Sequence, residues 1–331
     1  MWIADDEKYA LIALDVEVAD DGVFGVMSED LWILPDRGFD FPDHWKEWLG
    51  CIRIEELEGC NFFLLTKKAS KTPAVLDGEN IALRKKIWSF YVGMLLASSI
   101  APAHAPVLIT GARQTGETDI RQQQIFDTPI PSIVRHCQAI TSAEAREALH
   151  LAQQLERLGE IPGSKWRLNR VLSLYIEARS IRDILDRLHQ YCRCVEGLIL
   201  PKIGNTRKQF KSRTELFIGP SHHDLMGEIY DVRSAVEHLH ENKYLESFDR
   251  NMRLEILRME AVIEYIARTC LSRIISSSSL WPHFSNASAL GSFWALPVDK
   301  RRSTWGSPVD PMEALTDFEP NCIHDTELGS A

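Results

Sequence analysis

The sequence predicts an α+β protein in which a mixed α/β region is followed by an all-α helical bundle. Runs of apolar and β-branched residues bounded by turn residues occur within the first 110 residues and are typical of strands. From residue 141 onward, apolar residues recur at three-and-four spacing, which is typical of helices with one buried face. The 331 residues, 45% of them hydrophobic, exceed the usual size of one domain. We therefore expect an N-terminal domain over 1–140, a helical domain over 141–276 and a C-terminal tail over 277–331.

The N-terminal domain is predicted to combine strands with a long helix. Residues 9–26 and 51–66 are rich in apolar and β-branched side chains and contain turn signals, so both segments are predicted to form strands. A helix is predicted to start near residues 77–80 and to continue through the apolar segment around Trp88. The segment 106–110 (PVLIT) is again typical of a strand.

The helical domain is predicted to be a bundle with short connections. Thr141, Ser142 and Glu144 form a capping-box pattern that begins a helix ending near Gly159. Apolar spacing over 164–200 predicts two helices that meet near 179–182, and further helices are predicted around 225–240 and 251–275. Residues beyond 276 lack sustained periodicity, so we expect a tail that is extended or partly disordered.

The charge distribution leaves room for local binding of a polyanion. The net charge of −10 argues against a protein that coats itself in cations to bind nucleic acid. Residues 161–275, however, carry 19 basic and 15 acidic side chains, whereas 1–160 carry 15 and 25, and 276–331 carry 3 and 7. The basic block contains a run of cations, namely Lys202, Arg207, Lys208, Lys211 and Arg213. This run is equally well explained as a solvated connecting loop or as a surface that contacts RNA. The predicted RNA contacts are Lys208, Lys211 and Arg213.

Cysteine usage and the N-terminus indicate a cytoplasmic protein. The seven cysteines are an odd number scattered through apolar or helical runs, as expected of reduced thiols. The start MWIADDEKYA is acidic where a secretory signal needs positive charge. The longest apolar stretch, over 87–102, is shorter than the about 20 residues that span a bilayer. We therefore expect no membrane partner.

Two motifs resemble ligand sites but lack a residue that the chemistry needs. The segment 111–118 (GARQTGET) follows a predicted strand as a P-loop would, yet Glu117 stands where the phosphate-binding lysine belongs. His222, His223 and Asp224 offer metal ligands, but adjacent residues rarely point at one ion and no further His or Cys completes four-coordination at a suitable spacing. We therefore expect no metal and no cofactor.

The segment 229–244 (IYDVRSAVEHLHENKY) contains the residue types needed to cut RNA without a metal. Arg233 supplies a permanent cation for a phosphate, and a histidine such as His238 can exchange a proton near neutral pH. On an ideal helix Arg233 lies about 140° from His238 and about 20° from His240, so the spacing leaves both histidines open as partner. A surface Arg233 paired with Glu237, beside solvated histidines, is the structural alternative.

The order of these residues resembles the HEPN superfamily, and particularly its Apea-like group. YDVRSAVEHLHE is similar to the R-x4-H signature of that group, although Leu239 follows His238 where the group often has glycine. Residues 166–201, which include Glu196, are similar to the group's first helical pair, and 208–219 are similar to its connecting element. The resemblance covers about one third of the chain.

The resemblance implies a metal-independent endoribonuclease that works as a homodimer, with two Arg/His sets facing one cleft. It implies that Arg233 stabilises charge on the phosphate and that His238 acts as general base or acid. Supporting roles are expected for Ser234, His240 and Glu196. Because many such proteins are toxins or antiviral effectors, we expect an N-terminal domain that senses a trigger or restrains the nuclease. The rival hypothesis is a non-catalytic HEPN scaffold or ligand-binding dimerisation protein.

Overall fold

The computed structural model describes residues 2–36, 41–131, 139–238 and 249–323, which divide into two compact units. The described residues up to Pro129, together with 139–159, form the sheet unit. Residues 130–131 and those from Glu160 onward form the helical unit. The architecture is the predicted α+β class, with strands in the sheet unit and a mostly helical second unit.

The sheet unit is built on an antiparallel sheet whose central strands are apolar along their whole length. The six strands in the described residues are β1 (Glu7–Leu14), β2 (Gly25–Ser28), β3 (Leu31–Leu34), β4 (Phe62–Ala69), β5 (Val107–Gln114) and β6 (Glu117–Ile125). The strand order in the sheet is β2-β3-β4-β1-β5-β6. In β1, all residues after Glu7 are buried, because helices cover both faces of the sheet and leave no solvated side.

Helices α1 (Asp43–Leu49) and α2 (Cys51–Gly59) cover one face of this sheet. Trp45, Ile54 and Leu57 of these helices are buried in one cluster with the alternate β1 residues that point to the same side. Residues 51–66 were predicted to be a strand, which is wrong for their first half. Leu57 lies three positions after Ile54, so a helix places both side chains on the sheet, and the leucine and glutamates of this segment favour helix.

Helix α3 (Gly78–Ala97) lies across the opposite face and begins where the sequence predicted. Its cap is Asp77, whose side chain accepts from the Glu79 backbone N–H at 2.8 Å. Lys8 of β1 donates to the same Asp77 at 2.7 Å, although the lysine side chain is fully buried. The buried Asn80 side chain donates to Thr110 Oγ1 of β5 at 3.1 Å, which fixes the start of α3 against the sheet.

The segment 111–118 forms a hairpin between β5 and β6, and its glycines allow the backbone conformations of that hairpin. Thr115 (φ 50°) and Gly116 (φ 86°) take the left-handed conformations of a tight two-residue turn. A Cβ on Gly111 would lie 1.8 Å from the Asp119 carbonyl oxygen, so glycine is required there by the close approach of the two strands. The segment therefore does not form the strand-to-helix turn of a P-loop.

Helix α4 (Ser142–Glu160) belongs to the sheet unit up to Gly159, so the two units divide near residue 160 rather than at the predicted residue 141. Its start follows the predicted capping box, because Thr141 Oγ1 accepts from the Glu144 N–H at 3.2 Å while Glu144 Oε2 accepts from the Thr141 N–H at 2.9 Å. A Cβ on Gly93 of α3 would lie 2.3 Å from the Ala148 carbonyl oxygen. This close packing of α3 on α4 explains why the helix joins the sheet unit.

The helical unit contains five long helices in the described residues. They are α5 (Trp166–Ala178), α6 (Ile184–Ile199), α7 (Thr206–Ile218), α8 (His223–Glu237) and α9 (Arg250–Ser276). Helix α9 packs against α5, α6 and α7. Four of the helices match predicted ones, including the break near residues 179–183, whereas α7 forms where a connecting element and no helix was expected.

Residues 281–305 of the predicted tail form three short helices, where an extended or partly disordered segment was expected. Aromatic side chains of these helices, Phe284, Phe293 and Trp305, pack together, and Trp305 also contacts Phe217 of α7 with ring centroids 4.5 Å apart. Segments this short cannot show the periodicity by which longer helices are predicted. The helices are α10 (Trp281–Phe284), α11 (Ala287–Ala295) and α12 (Val298–Trp305).

Charged side chains lie in the core where α5, α6 and α9 meet. Arg187 of α6 donates to Glu260 of α9 at 2.6 Å, and the two side chains are only 2% and 1% exposed. One turn along α9, Glu264 accepts from the Tyr175 hydroxyl and from Arg268, each at 2.9 Å. Buried charges are tolerated only when paired, so these contacts fix how the three helices pack.

No helix in the described residues combines the length and apolar content needed to cross a bilayer.

We expect Glu260→Gln to destabilise the helical unit by about 3–5 kcal/mol, because Arg187 would stay buried without a carboxylate. The matched control is Glu255→Gln, also on α9, whose pair with Arg258 is exposed and should be worth about 0–1 kcal/mol. Urea unfolding followed by circular dichroism compares the two variants. Equal midpoints would show that the buried pair does not hold the bundle.

Candidate functional site

Helices α6 and α8 pack side by side and bring Arg233 to Glu196. Arg233 Nη2 donates to Glu196 Oε2 at 3.0 Å, and the two side chains are 15% and 14% exposed. The Tyr230 ring, one turn earlier on α8, lies 5.9 Å from the guanidinium carbon. Within the described residues, Arg233 Nε and Glu196 Oε1 are buried without a hydrogen-bond partner. The pair is therefore held in place while one donor and one acceptor stay unmatched.

A second contact joins the same two helices through His189 and Glu237. His189 Nε2 forms a short hydrogen bond with Glu237 Oε2, and Arg233 Nη1 lies 3.9 Å from that same oxygen. His189 and Glu196 are seven positions apart on α6, so they lie about 20° apart around the helix. We call the four residues His189, Glu196, Arg233 and Glu237 the α6–α8 cluster.

The pKa values of the two carboxylates in the α6–α8 cluster are shifted in opposite directions. Burial raises the pKa of Glu196 even though Arg233, which lowers it, is in contact. The hydrogen bond from His189 lowers the pKa of Glu237, which is more exposed. Glu237 is therefore a stable anion at neutral pH, whereas Glu196 takes up a proton at a higher pH than an ordinary glutamate does.

His238 stands directly after α8, at its C-terminal cap. Its backbone N–H donates to the Ser234 carbonyl at 3.2 Å, and its side chain is exposed. The helix was predicted to continue to residue 240, but α8 ends at Glu237, so ideal helical angles no longer apply to His238. Ser234 is half-buried on the last turn of α8. His240 lies outside the described residues, and the choice between the two histidines stays a prediction.

Two of the five cations of the basic run are paired with neighbouring carboxylates in the described residues. Arg207 binds Asp231 through two hydrogen bonds of 2.7 Å each. Lys211 Nζ lies 3.4 Å from Asp224 Oδ1. Lys208 is exposed and forms no ion pair with a carboxylate in the part of the chain that the structure describes. Of the predicted RNA contacts on α7, Lys208 is therefore an exposed cation without a carboxylate partner among the described residues.

Arg213 connects helix ends within the bundle. Its Nη1 donates to the Ile199 carbonyl at 2.5 Å and to the Leu200 carbonyl at 2.7 Å, at the C-terminus of α6. Its guanidinium carbon also lies 5.1 Å from the Trp294 ring centroid. Cations stabilise helix C-termini, where carbonyl groups lack helical partners. Arg213 therefore has a structural role at the C-terminus of α6.

Comparisons with known proteins identify no relative of this chain. A scan of protein-family models, a search of curated proteins and a search of solved structures each return no match to the chain. Among the described residues, no group of three or more His, Cys, Asp or Glu side chains is placed to hold a metal ion. His222 and His223 are instead separately engaged, with Asp310 at 3.6 Å and Glu215 at 2.6 Å. A function must be inferred from the residues of the site.

Sequence reasoning missed His189 although a signal was present. His189 and Glu196 share one side of α6 through their spacing of seven, and Glu196 was already a candidate. The contact of His189 with Glu237, 48 positions later, depends on how α6 packs on α8. That packing is not encoded in any local pattern.

We expect Arg213→Gln to lower the stability of the helical unit by about 1–3 kcal/mol, because two helix-end carbonyls lose a charged donor. Lys208→Gln, on the same helix, should change stability by less than about 0.5 kcal/mol. Urea unfolding measures both. An Arg213→Gln variant as stable as the parent would contradict the structural part of Arg213 and favour its predicted contact with RNA.

Proposed function

We propose that this protein is a metal-independent endoribonuclease in which Arg233 and His238 act on the scissile phosphate. The carrying observation is that α6 and α8 hold Arg233 in a fixed position with its Nε unmatched, close in sequence to an exposed histidine at the end of the helix. The resemblance to HEPN domains supports the same assignment.

The chemistry is an internal transfer within the RNA strand. The 2′-hydroxyl oxygen attacks the adjacent phosphorus, the bond from phosphorus to the 5′-oxygen breaks, and the products are a 2′,3′-cyclic phosphate and a free 5′-hydroxyl. His238 takes the proton from the 2′-hydroxyl, and an imidazolium returns a proton to the leaving oxygen. Arg233 stabilises the charge that builds on the phosphate oxygens.

The other members of the α6–α8 cluster position these groups. Glu196 holds the guanidinium of Arg233 at 3.0 Å and limits its rotation. Burial raises the pKa of Glu196, and a phosphate would compete with this carboxyl for Arg233. His189 is oriented by Glu237, the residue before His238, and is the second imidazole that would donate the proton to the leaving group.

The wider setting of the enzyme follows from the same resemblance. The proposal includes a homodimer formed through the helical unit, a cytoplasmic location and a role as a toxin or antiviral effector. The sheet unit would sense the trigger or restrain the nuclease. Lys208 is the cation on α7 best suited to contact the RNA backbone, because Arg207 and Lys211 are paired with carboxylates.

A non-catalytic scaffold is the second candidate, and one observation favours it. The Arg233 side chain is only 15% exposed and lies between Glu196 and Glu237, as a purely structural cation would. In this alternative Arg233 ties α8 to α6, and His238 has no role in cleavage. The two candidates differ in what replacement of Arg233 does to RNA and to stability.

We expect purified full-length protein to cleave total cellular RNA and tRNA in excess EDTA, leaving 2′,3′-cyclic phosphate ends. His238→Ala should lower the cleavage rate by about 100-fold or more, because general acid–base catalysis contributes that much. The same assay applied to His189→Ala and His240→Ala tests the second imidazole and the competing assignment. His44→Ala is the control, since His44 is an exposed histidine of the sheet unit.

Arg233→Lys separates the nuclease from the scaffold, because lysine keeps the charge but loses the planar fork of donors. A nuclease should lose most cleavage in this variant while its urea midpoint falls only modestly. The scaffold hypothesis predicts a different result. The parent would then cut no RNA and would not be toxic on expression, and Arg233→Lys would change only stability or dimer formation. Cleavage by Arg233→Ala and His238→Ala at the parental rate would also end the nuclease proposal.

A further inference from the structure

A cavity of about 530 Å³ lies in the sheet unit between α3 and the β5–β6 hairpin. This volume falls within the range of roughly 300–1,000 Å³ that is usual for small-molecule pockets. One side is formed by a single face of α3, because the lining positions are three or four residues apart. These positions are Ile81, Arg84, Lys85 and Trp88. The other side is formed by Leu108 of β5, Gln124 of β6 and Phe126.

The cavity has a rigid aromatic wall. The Trp88 and Phe126 rings are 4.7 Å apart between centroids, and both residues are only half-buried. The buried Tyr91 ring stacks on Phe126 at 5.8 Å with an angle of 14° between the ring planes. This support keeps the exposed ring surfaces in place, and such surfaces are suited to stack on a planar ring.

The two cations of the cavity are Arg84 and Lys85. Arg84 donates to the side-chain oxygens of Gln122 and Gln124 at 2.8 and 2.9 Å, and its Nε is buried without a partner among the described residues. Lys85 is exposed. Within the described residues neither cation forms an ion pair with a carboxylate, and no acidic side chain lines the cavity. Two positive charges are therefore uncompensated at one place.

Most of the other described cations in the same unit are paired with a carboxylate. Residues 1–160 carry 25 acidic and only 15 basic side chains, so carboxylates are in excess. Lys86, the neighbour of Lys85, is bound to Asp30 at 2.5 Å. Other cations of the unit are paired in the same way, namely Lys8, Lys67, Lys68, Arg113 and Arg121. An anion from outside the chain would match Arg84 and Lys85.

We propose that this cavity binds a small molecule that joins a planar heteroaromatic ring to an anionic group, as a nucleoside monophosphate does. The ring lies against Trp88 and Phe126, and the anion is bound by Arg84 and Lys85. Gln124 uses its oxygen for Arg84, which leaves its amide N–H groups to donate to the ring or the anion. The site lies wholly within the sheet unit and does not depend on the nuclease chemistry of the helical unit.

The test is calorimetry with full-length protein and the 5′-monophosphates of adenosine, guanosine, cytidine and uridine. At least one of them should bind about tenfold more tightly than its nucleoside and than inorganic phosphate, because ring and anion contribute together. No binding of any of the four at millimolar concentration would overturn the proposal. If inorganic phosphate bound as tightly as the monophosphate, the cavity would be an anion site only. If the nucleoside bound as tightly as the monophosphate, the cations would have no role in binding. Either result would also overturn it.

The variants Arg84→Gln and Lys85→Gln should each weaken monophosphate binding about tenfold, since a charged hydrogen bond is lost. Trp88→Leu should weaken the monophosphate and leave the weak binding of inorganic phosphate unchanged. Lys71→Gln is the matched control, because Lys71 is an exposed cation of the same unit that does not line the cavity. Thermal unfolding of each variant checks that the fold is intact. Unchanged affinity in both charge variants would contradict the assignment.

Discussion

The buried pair of Arg187 and Glu260 sets the geometry on which the candidate site depends. Neither charge can remain in the core alone, so α6 must turn Arg187 toward α9. His189 follows two positions later and therefore points about 200° away around the helix. That direction is toward α8, where His189 meets Glu237. One desolvated ion pair thus determines which side chains of α6 face α8.

The local pairing of charges also changes what the net charge of the helical region means. The excess of basic residues over 161–275 suggests a surface that attracts RNA. Asp231 and Asp224, however, lie against Arg207 and Lys211, so their fields are largely cancelled at short range. Attraction of a polyanion would then rest on the few cations without carboxylates, such as Lys208. Counts of charge along the sequence overstate the electrostatic attraction wherever ion pairs are this frequent.

The sequence predicted features that arise from long local patterns and missed those that arise from tertiary packing. The fold class, α3 and the bundle helices α5, α6, α8 and α9 follow from repeated apolar spacing and caps, whereas α7 was not predicted. The apolar and β-branched residues of 51–59 predict a strand, but the segment is a helix because it buries Ile54 and Leu57 together under the sheet. Arg233 and Glu196 were candidates from the sequence, but their contact and that of His189 required the packing of α6 on α8.

Both inferred sites contain an arginine with a buried Nε that no described side chain or carbonyl accepts from. A buried carboxyl can relieve poor solvation by taking up a proton, and the raised pKa of Glu196 reflects this. Arginine cannot escape in the same way, because its guanidinium stays charged at every physiological pH. The buried Nε donors of Arg84 and Arg233 therefore carry a desolvation cost that the rest of each guanidinium group has to offset. A phosphate offers several acceptor oxygens and a full charge, so it compensates the charge of a guanidinium group better than water does.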